Sequence, residues 1–546
     1  EIYAKVKYLL ATWSSANSSS DNETIKATYK DSYTLHETAK AFLGLASLSH
    51  EYARSILEYS QESTNADADL QKQPAQPSVP TKPLRNALGG PPTQAMRDKA
   101  AQQTGDMLQQ VRKQREVDNK KIIDSKFWTM GYPRFDQYKS FVSFIKEALR
   151  SYFLAMNLSP QYSYEVIPRL LQLIFDFAKL IISDQEMDLF RFQTFQKSKN
   201  FNEIKDIILK NFTIVPKYVW LNSITQLISR IDQPTSLFIV ISSFIKPAIE
   251  QYPELAFWHL MQLRHIANKQ PQYDKLMGAI KESLSNQSHK LICDLELKYS
   301  TITSKLLTLI DIDRKKKCEK LHFTDIPEIP DLKDVFQDCG VVLPLATSFS
   351  LKFDSNDYVK TIPRIQSMVD EITVLGTLQV PKKITFEATD GNKYSYLIKK
   401  DDDLRKDMRM MEFASFINRL LQHDRRSRKR DLSVTTFTVI CLDEVHGMIE
   451  WVNNLSTLQH CVYGIWSDKK ILNNIKEKSK ILQNTEHHLD QYFVKDLMPI
   501  TPPVLHIYFA KHFENRISWF QAQLRFTRSC AIWSMIGFIV GLGDRH

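Results

Sequence analysis

Apolar residues recur at helical spacing over most of the first 320 residues, and this pattern constrains the fold more than any other feature. In one stretch, apolar residues occupy positions i, i+4, i+7, i+8 and i+11: Trp220, Ile224, Leu227, Ile228 and Ile231. This spacing places them on one face of a helix. Short polar segments and two prolines that we interpret as helix breakers, Pro247 and Pro253, separate successive stretches. The pattern predicts helical repeats over residues 1–60 and 119–325, stacked as an α-solenoid.

The segment 61–118 interrupts this pattern. Prolines and glycines lie there among Gln, Ala and Ser, at Pro74, Pro77, Pro80, Pro83 and Gly89–Pro92. Such a composition cannot bury enough apolar surface to offset the entropy lost when the chain is ordered. We expect a disordered low-complexity insertion, with helix resuming near Met107–Lys121. A solvated linker is the simpler interpretation, and a polyproline docking site is the alternative.

Near residue 340 the pattern changes from helical spacing to strand alternation. Ile384–Ala388 and Lys393–Ile398 read as two strands, and Thr389–Asn392 between them contains the Asp-Gly pair of a hairpin turn. The spacing then predicts a helix over Asp403–Gln422. Two further strands are expected, over Val434–Leu442 and from Gly447 to Val452.

Helical spacing returns from Ser467 onward, so the second half divides into two parts. A strand-rich lobe (340–449) is followed by a short connection (450–454) and a helical lobe (455–546). This is the layout of a bilobal α+β kinase domain. The predicted fold class is therefore mainly α, with an α-solenoid followed by such a domain.

Charge and cysteine usage narrow the class of protein. The chain has 72 Lys and Arg against 62 Asp and Glu, a net charge of +10 that is spread over short clusters. We interpret it as a mildly basic surface without a dedicated nucleic-acid site. The six cysteines have neither CxxC nor other metal spacing, which disfavours zinc and disulfides and suits the cytosol or nucleus. The longest apolar run, Cys530–Leu542, is shorter than the ~18 residues of a membrane span and predicts a buried core helix.

The last residues carry the clearest chemical motif. Six residues follow the apolar helix: Gly541, Leu542, Gly543, Asp544, Arg545 and His546. Phosphoryl transfer needs a carboxylate that orients the attacking hydroxyl, and Asp544 follows a helix that would hold it in place. Taken alone, an Asp-Arg-His triplet is also what a polar helix terminus looks like.

These six residues resemble the catalytic loop GLGDRHxxN of the phosphatidylinositol 3-kinase-related protein kinases, and all six positions match. The resemblance implies that Asp544 is the catalytic base and His546 a second catalytic-loop residue near the transferred phosphate. It also implies ATP and Mg²⁺ as cofactors. The metal-binding Asn would lie five residues past Asp544, so the catalytic loop is expected to continue beyond residue 546, with no metal ligand within this chain.

The same resemblance assigns the phosphate-binding residues. It makes Lys399, at the end of a strand, the phosphate-binding lysine, with Asp402 or Asp407 as its acidic partner. The sequence leaves that choice open. It also implies a phosphate-covering loop at Val374, Leu375, Gly376, Thr377, Leu378, Gln379 and Val380. The loop departs from the family, since Val380 replaces a usual basic residue and Gly376 and Thr377 replace a small residue and a Ser.

The connection between the lobes is the expected adenine site. The resemblance implies that Trp451 packs against adenine, while Glu450 and Val452 supply backbone hydrogen bonds to its edge. By itself, Trp451 would be interpreted as a core tryptophan.

Several segments resemble the ATR-type checkpoint kinases of this family: Thr225–Arg230, Pro381–Ile384, Asp402–Asp407 and Glu450–Asn454. That resemblance implies FAT-type repeats, a nuclear Ser/Thr kinase for DNA-damage checkpoint proteins, phosphorylation at Ser/Thr-Gln, and a regulatory partner bound outside this chain. No membrane partner is expected. The alternatives are a catalytically inactive scaffold of the same fold and a lipid kinase. Arg425–Arg430 has the composition of a nuclear import signal, although a solvated loop explains it as well.

Overall fold

A computed structural model describes residues 2–17, 22–35, 38–71, 135–182, 191–233, 235–312, 320–349, 351, 354, 356–376, 379–400, 402–466, 473–474, 476–478, 480, 491 and 493–543. The chain forms two compact units, which are described separately. The first comprises Glu1–Gln251 with Lys352–Asp354, and the second comprises Tyr252–Leu351 with Ser355–His546.

The described part of the first unit is helical. Its helices are α1 (Ile2–Asn17), α2 (Asn22–Leu35), α3 (Ala39–Gln71), α4 (Phe135–Leu158), α5 (Ser163–Ile182), α6 (Arg191–Asn211), α7 (Lys217–Leu221), α8 (Ile224–Ile228) and α9 (Thr235–Gln251). Neighbouring helices pack through apolar side chains. Trp220 of α7 stacks on Phe244 of α9, with ring centroids 4.5 Å apart.

The apolar face around Trp220 differs in detail from the prediction. Trp220, Ile224 and Ile231 are buried as expected, but the backbone forms two short helices, α7 and α8, where the spacing suggests one. The Ser223 hydroxyl donates to the Val219 carbonyl oxygen at 3.0 Å. A serine that bonds back to the preceding turn competes with continuous helix, and the chain breaks there.

Two other boundaries differ from those expected. Helix α3 extends to Gln71, eleven residues into the predicted 61–118 insertion, because proline first appears at Pro74 and 61–71 contains residues compatible with helix. The rest of the predicted insertion lies outside the described residues. Pro247 lies inside α9, so it does not end that helix, whereas Pro253 occupies the first turn of the next one.

The second unit combines helices with one sheet. Its helices are α10 (Pro253–His265), α11 (Gln270–Glu282), α12 (Asn286–Asp311), α13 (Leu332–Phe336), α14 (Asn356–Thr361), α15 (Leu404–His423), α16 (Arg425–Lys429), α17 (Leu458–Tyr463), α18 (Leu505–His512) and α19 (Arg516–Ile539). Its strands are β1 (Lys320–Leu321), β2 (Ile365–Met368), β3 (Ile372–Val374), β4 (Lys382–Ala388), β5 (Lys393–Lys399), β6 (Val439–Cys441) and β7 (Gly447–Glu450).

All strand pairs of the sheet are antiparallel. The order is β1-β3-β4-β5-β7-β6, and β2 pairs with β4. The predicted β4–β5 hairpin is present: Gly391 has a φ of 78°, and Asp390 accepts a hydrogen bond from the Asn392 N–H at 3.0 Å. Lys399 ends β5 and faces Gly447 of β7 across the ladder.

Helices α10 and α12 bind the sheet and the segment that leads into it. The Trp258 indole N–H of α10 donates to the Val342 carbonyl oxygen at 2.8 Å. The Lys382 ammonium at the start of β4 donates to the Ile310 carbonyl oxygen in the last turn of α12, also at 2.8 Å. The last helices before the sheet thus belong to the same unit as the sheet.

Helix α19 covers most of the apolar run that predicts a buried helix. Its Ile532 and Ile536 pack against Ala414 of α15 and against Val434. On its other side Phe538 is 79% exposed, so within the described residues the helix buries one face only. None of the described helices combines the length and the apolar character that a bilayer crossing requires.

The fold is thus mainly α with a small antiparallel sheet, as predicted.

Candidate active site

The lysine expected to bind phosphates lies at the end of β5 and is paired. Lys399 Nζ is 2.5 Å from Asp402 Oδ2, and the lysine side chain is only 15% exposed. The sequence left Asp402 and Asp407 as alternatives, and the structure pairs Lys399 with Asp402. The reason is local, because Asp403 caps α15 and accepts the Arg405 N–H. Asp402 therefore lies in the short turn between strand and helix, three residues from the lysine.

Asp407 lies one helical turn further on, in the first turn of α15. Burial raises the pKa of its carboxyl, and the nearby positive charge of Lys399 acts against this shift. The charges of Asp402 and Asp403 reinforce the increase. Asp407 is therefore a second carboxyl within the electrostatic reach of Lys399.

The loop between β3 and β4 lies at the same end of the sheet as Lys399, because Lys382 pairs with both Val374 and Ile398. Val374 is buried at the end of β3, and the Leu375 N–H donates to the Pro381 carbonyl oxygen at 2.9 Å, which closes the loop at its base. Gly376 and Gln379 are exposed, whereas Thr377 and Leu378 lie outside the described residues. Val380 has a φ of 47°. A β-branched residue rarely adopts this conformation, which costs on the order of 1–3 kcal/mol, so the loop is strained at its end.

The connection after β7 is fixed by hydrogen bonds. The Glu450 carboxylate accepts the N–H groups of Ala346 and Thr438 at 2.9 and 2.8 Å. The Glu450 N–H donates to the Thr438 carbonyl oxygen, and the Trp451 N–H donates to that of Ser395. The side chain and the N–H of Glu450 are thus engaged in hydrogen bonds within the protein. Of its backbone groups, the carbonyl oxygen is the one that could accept a hydrogen bond from a ligand.

Trp451 and Val452 present the groups expected to face adenine. The Lys383 ammonium lies over the Trp451 ring, 4.6 Å from its centroid. This cation–π contact fixes the ring on one side. The Val452 N–H has no hydrogen bond to any other residue of the described part of the chain, so it is a candidate donor for a ligand.

The glycine-rich start of the predicted catalytic loop ends α19. Gly541 has a φ of 63°, the Leu542 N–H donates to the Gly537 carbonyl oxygen at 2.8 Å, and the Gly541 N–H donates to that of Phe538. This is a Schellman motif, in which glycine supplies the left-handed residue. It fixes the direction in which the chain leaves the helix at Gly543. Asp544, Arg545 and His546 lie outside the described residues, so their predicted roles remain predictions.

One other predicted feature lies outside the site. The basic segment forms α16, whose arginines are exposed and whose first turn is capped by Asp424. Within the described residues, no group of three His, Cys, Asp or Glu side chains is placed to hold a metal ion.

Sequence reasoning missed two residues behind the site, Lys382 and His446. The buried position of Lys382 could have been predicted, because strand alternation through Ile384 and Phe386 places position 382 on the buried face. His446 lies in the β6–β7 turn and binds Asp311 of α12. No local pattern points to that contact.

Comparison with known proteins agrees with this architecture. The family model described as phosphatidylinositol 3- and 4-kinase matches residues 393–546, and the model for the HEAT repeats of ATR-like serine/threonine-protein kinases matches residues 203–295. Together the two matches support a member of the phosphatidylinositol 3-kinase-related kinase family that is close to ATR.

The chain is similar to kinases of the ATR type. It is 28% identical over 410 residues to the serine/threonine-protein kinase ATR of Oryza sativa subsp. indica, covering 70% of this chain and 14% of the relative. It is also 28% identical over 421 residues to protein kinase rad3 of Schizosaccharomyces pombe, covering 74% of this chain and 17% of the relative. The chain thus spans between one seventh and one sixth of the length of these relatives.

A solved structure of the FAT and kinase domain of CtTel1 has a similar fold. It superimposes with a TM-score of 0.71 at 19% identity, covering 100% of this chain and 35% of the other. The likeness supports the FAT-plus-kinase fold of this family member.

Proposed function

We propose that this chain is part of a protein kinase that transfers the γ-phosphate of ATP to Ser or Thr side chains. The observation that carries the proposal is the Lys399–Asp402 pair at the end of β5, with the β3–β4 loop at the same end of the sheet. A cation held by a carboxylate at the edge of a sheet can bind phosphates in one orientation without moving. Family membership and the names of the relatives support this assignment.

Each remaining site residue has a role in this proposal. The Trp451 ring packs against adenine, and the Val452 N–H and the Glu450 carbonyl oxygen bind its edge. Backbone groups of the loop 374–380 cover the phosphates. Asp544 orients the hydroxyl that attacks and accepts its proton, with His546 beside it. Magnesium, when bound, neutralises charge on the phosphates, and we assign no ligand of this chain to it.

We further propose that the substrates are nuclear DNA-damage checkpoint proteins, modified at Ser or Thr followed by Gln. Similarity to ATR and rad3 supports this finer assignment. So does the match of residues 203–295 to the ATR-like HEAT repeats, which weighs against a lipid kinase. A regulatory partner of the ATR-interacting-protein type would bind outside these residues.

The test uses the full-length gene product that contains these residues. Lys399→Met and Asp544→Asn are compared with Lys400→Met, which removes a neighbouring charge outside the proposed site. We expect each site variant to lose phosphoryl transfer to a Ser-Gln peptide by roughly a hundredfold or more, and Lys400→Met to retain it. Near-normal transfer by either site variant would refute the assignment of that residue.

The same preparation separates the alternatives. A kinase of the proposed type phosphorylates a Ser-Gln peptide and not its Ser-Ala counterpart. Transfer to phosphatidylinositol vesicles in place of the peptide would indicate a lipid kinase. Absence of transfer to both, with a folded wild-type protein that binds ATP, would indicate the inactive scaffold.

A further inference from the structure

The C-terminal end of α12 binds two cationic side chains of the sheet region. The Ile310 carbonyl oxygen accepts a hydrogen bond from the Lys382 ammonium, and Asp311 Oδ1 lies 3.0 Å from His446 Nε2. Cations are favoured at this end of a helix, because its unpaired carbonyl groups carry partial negative charge. One contact reaches the strand that follows the β3–β4 loop, and the other reaches the β6–β7 turn.

The β6–β7 turn is organised around His446. Asp443 Oδ1 accepts the Val445 and His446 N–H groups at 2.8 and 2.7 Å, and Asp443 Oδ2 lies 2.7 Å from His446 Nδ1. Both ring nitrogens therefore face carboxylates, which only the doubly protonated imidazolium can satisfy. Burial lowers the pKa of His446, but the hydrogen bonds and charges of Asp443 and Asp311 outweigh it and raise the pKa above its ordinary value.

This turn contacts the Lys399–Asp402 pair. Gly447 is the ladder partner of Lys399. The Asp402 N–H points at the Val445 carbonyl oxygen at 3.5 Å, a long contact that indicates proximity more than a strong bond. Leu404, the first residue of α15, packs so closely on Gly447 that an added Cβ would overlap its side chain. A shift of the turn therefore shifts the backbone on which Asp402 is held.

We propose that His446 is a positioning residue, which links the end of α12 to the Lys399–Asp402 pair and so sets the lysine for phosphate binding. The proposal rests on the function proposed above. His446 does not touch a substrate. Its action passes through the turn and Asp402, so it should affect ligands that carry phosphates and leave adenine binding alone.

Other charged groups near the turn do not replace His446. Glu444 is the exposed carboxylate of the same turn, and its charge acts on Arg405 of α15. His265 of α10 senses the charge of Asp443, but its own ring bonds to the Thr303 hydroxyl. Among the described residues, Asp311 and Asp443 are the carboxylates that the imidazole contacts.

The experiment measures the affinities of ATP and adenosine for the full-length protein by calorimetry. We expect His446→Ala to weaken the binding of ATP roughly fivefold and to leave the affinity for adenosine unchanged. The substitution removes a charged hydrogen bond that lies behind the phosphate site and not behind the adenine site. Asp311→Asn, which changes a largely exposed side chain, should act in the same direction by roughly twofold. Glu444→Gln is the matched control and should change neither affinity.

The outcomes separate this inference from the proposed function. If His446→Ala weakens both ligands equally, or neither, the positioning role is wrong. If His446→Ala does not fold, the result for Asp311→Asn decides in its place, by the same criterion. Lys399→Met serves as the reference. If it also leaves ATP binding intact, the phosphate-binding role of Lys399 fails and the inference fails with it.

Discussion

The Glu254 carboxylate in the first turn of α10 binds both terminal nitrogens of Arg364, just before β2, at 2.5 and 2.9 Å. The same guanidinium donates to the Gly340 carbonyl oxygen, and the Glu254 carbonyl oxygen accepts the Tyr299 hydroxyl of α12. A planar guanidinium is suited to this bidentate contact. The pair therefore connects two helices to the segment that enters the sheet.

Replacing Arg364 by Lys should destabilise the second unit. Lysine keeps the charge but cannot make two parallel hydrogen bonds, and Glu254 would be left partly unpaired at a site that is largely buried. We expect a loss of about 2 kcal/mol in the free energy of unfolding, measured by urea denaturation. Lys360→Ala, which breaks an exposed pair with Asp357, should leave the unfolding midpoint unchanged. Equal effects of the two substitutions would contradict the argument.

A glycine pair tests the close packing behind Lys399. A Cβ on Gly447 would lie 2.7 Å from the Ile440 carbonyl oxygen and still closer to Leu404 Cδ1, so backbone must move. Gly447→Ala should cost about 2 kcal/mol in the free energy of unfolding.

Gly278 of α11 is the matched control for that substitution. Among the described residues, no neighbouring atom lies within 4 Å of the position that a Cβ would take there, and alanine is the better helix former. Gly278→Ala should therefore raise the free energy of unfolding by about 0.5–1 kcal/mol. Thermal unfolding of the two variants should shift in opposite directions, and a shift of the same sign would contradict this interpretation.

How much the sequence reveals depends on the range of each interaction. The β4–β5 hairpin and the position of Lys399 follow from local features, an Asp-Gly turn and strand alternation, and both are present in the structure. The acidic partner of Lys399 is local too, yet Asp402 and Asp407 are both within its reach. The choice depends on where α15 begins, and boundaries are the least certain part of a sequence-based assignment.

The contacts behind the site depend on distant residues. Lys382 meets Ile310 across 72 positions of the chain, and His446 meets Asp311 across 135. A Pro-Lys-Lys segment looks solvated, and only the strand register turns Lys382 inward. For His446 no periodicity helps, because a turn residue has no assigned face. Tertiary packing decides both contacts.

The contact between Lys383 and Trp451 makes a further prediction. Lys383→Met keeps the length of the side chain but removes the charge over the indole ring. We expect the affinities for ATP and adenosine to fall equally, by roughly twofold to fivefold, because the ring that packs against adenine is held less firmly. This differs from the effect expected of His446→Ala, which changes ATP binding alone.

Lys393→Met provides the control, because it removes an exposed lysine at the other end of β5. Competition binding with both ligands on the full-length protein measures the effect. A loss confined to ATP would show that Lys383 contacts phosphate and does not act through Trp451.

His259 makes the second unit sensitive to acid. This α10 residue is buried beside Phe349, with ring centroids 4.8 Å apart, and its Nδ1 has no hydrogen-bond partner among the described residues. Burial lowers the pKa of His259 to about 4, and the charge of Arg409 adds to the shift. Between the folded pKa and the ordinary value near 6.5, the unfolded chain binds a proton that the folded chain does not. The contribution of neutral His259 to the free energy of unfolding is therefore complete at pH values above the ordinary pKa. It is lost as the pH falls towards the pKa of the folded state.

His259→Leu removes the titrating group and keeps an apolar side chain in its place. Relative to wild type, we expect the variant to gain about 2 kcal/mol in the free energy of unfolding between about pH 7 and pH 5, because it is spared the cost of proton uptake. Urea denaturation of both proteins at a series of pH values measures this difference. The contributions of the many carboxylates that the two proteins share cancel when the variant is compared with wild type. A pH-independent difference for His259→Leu would mean that the buried imidazole is not the source of the acid sensitivity.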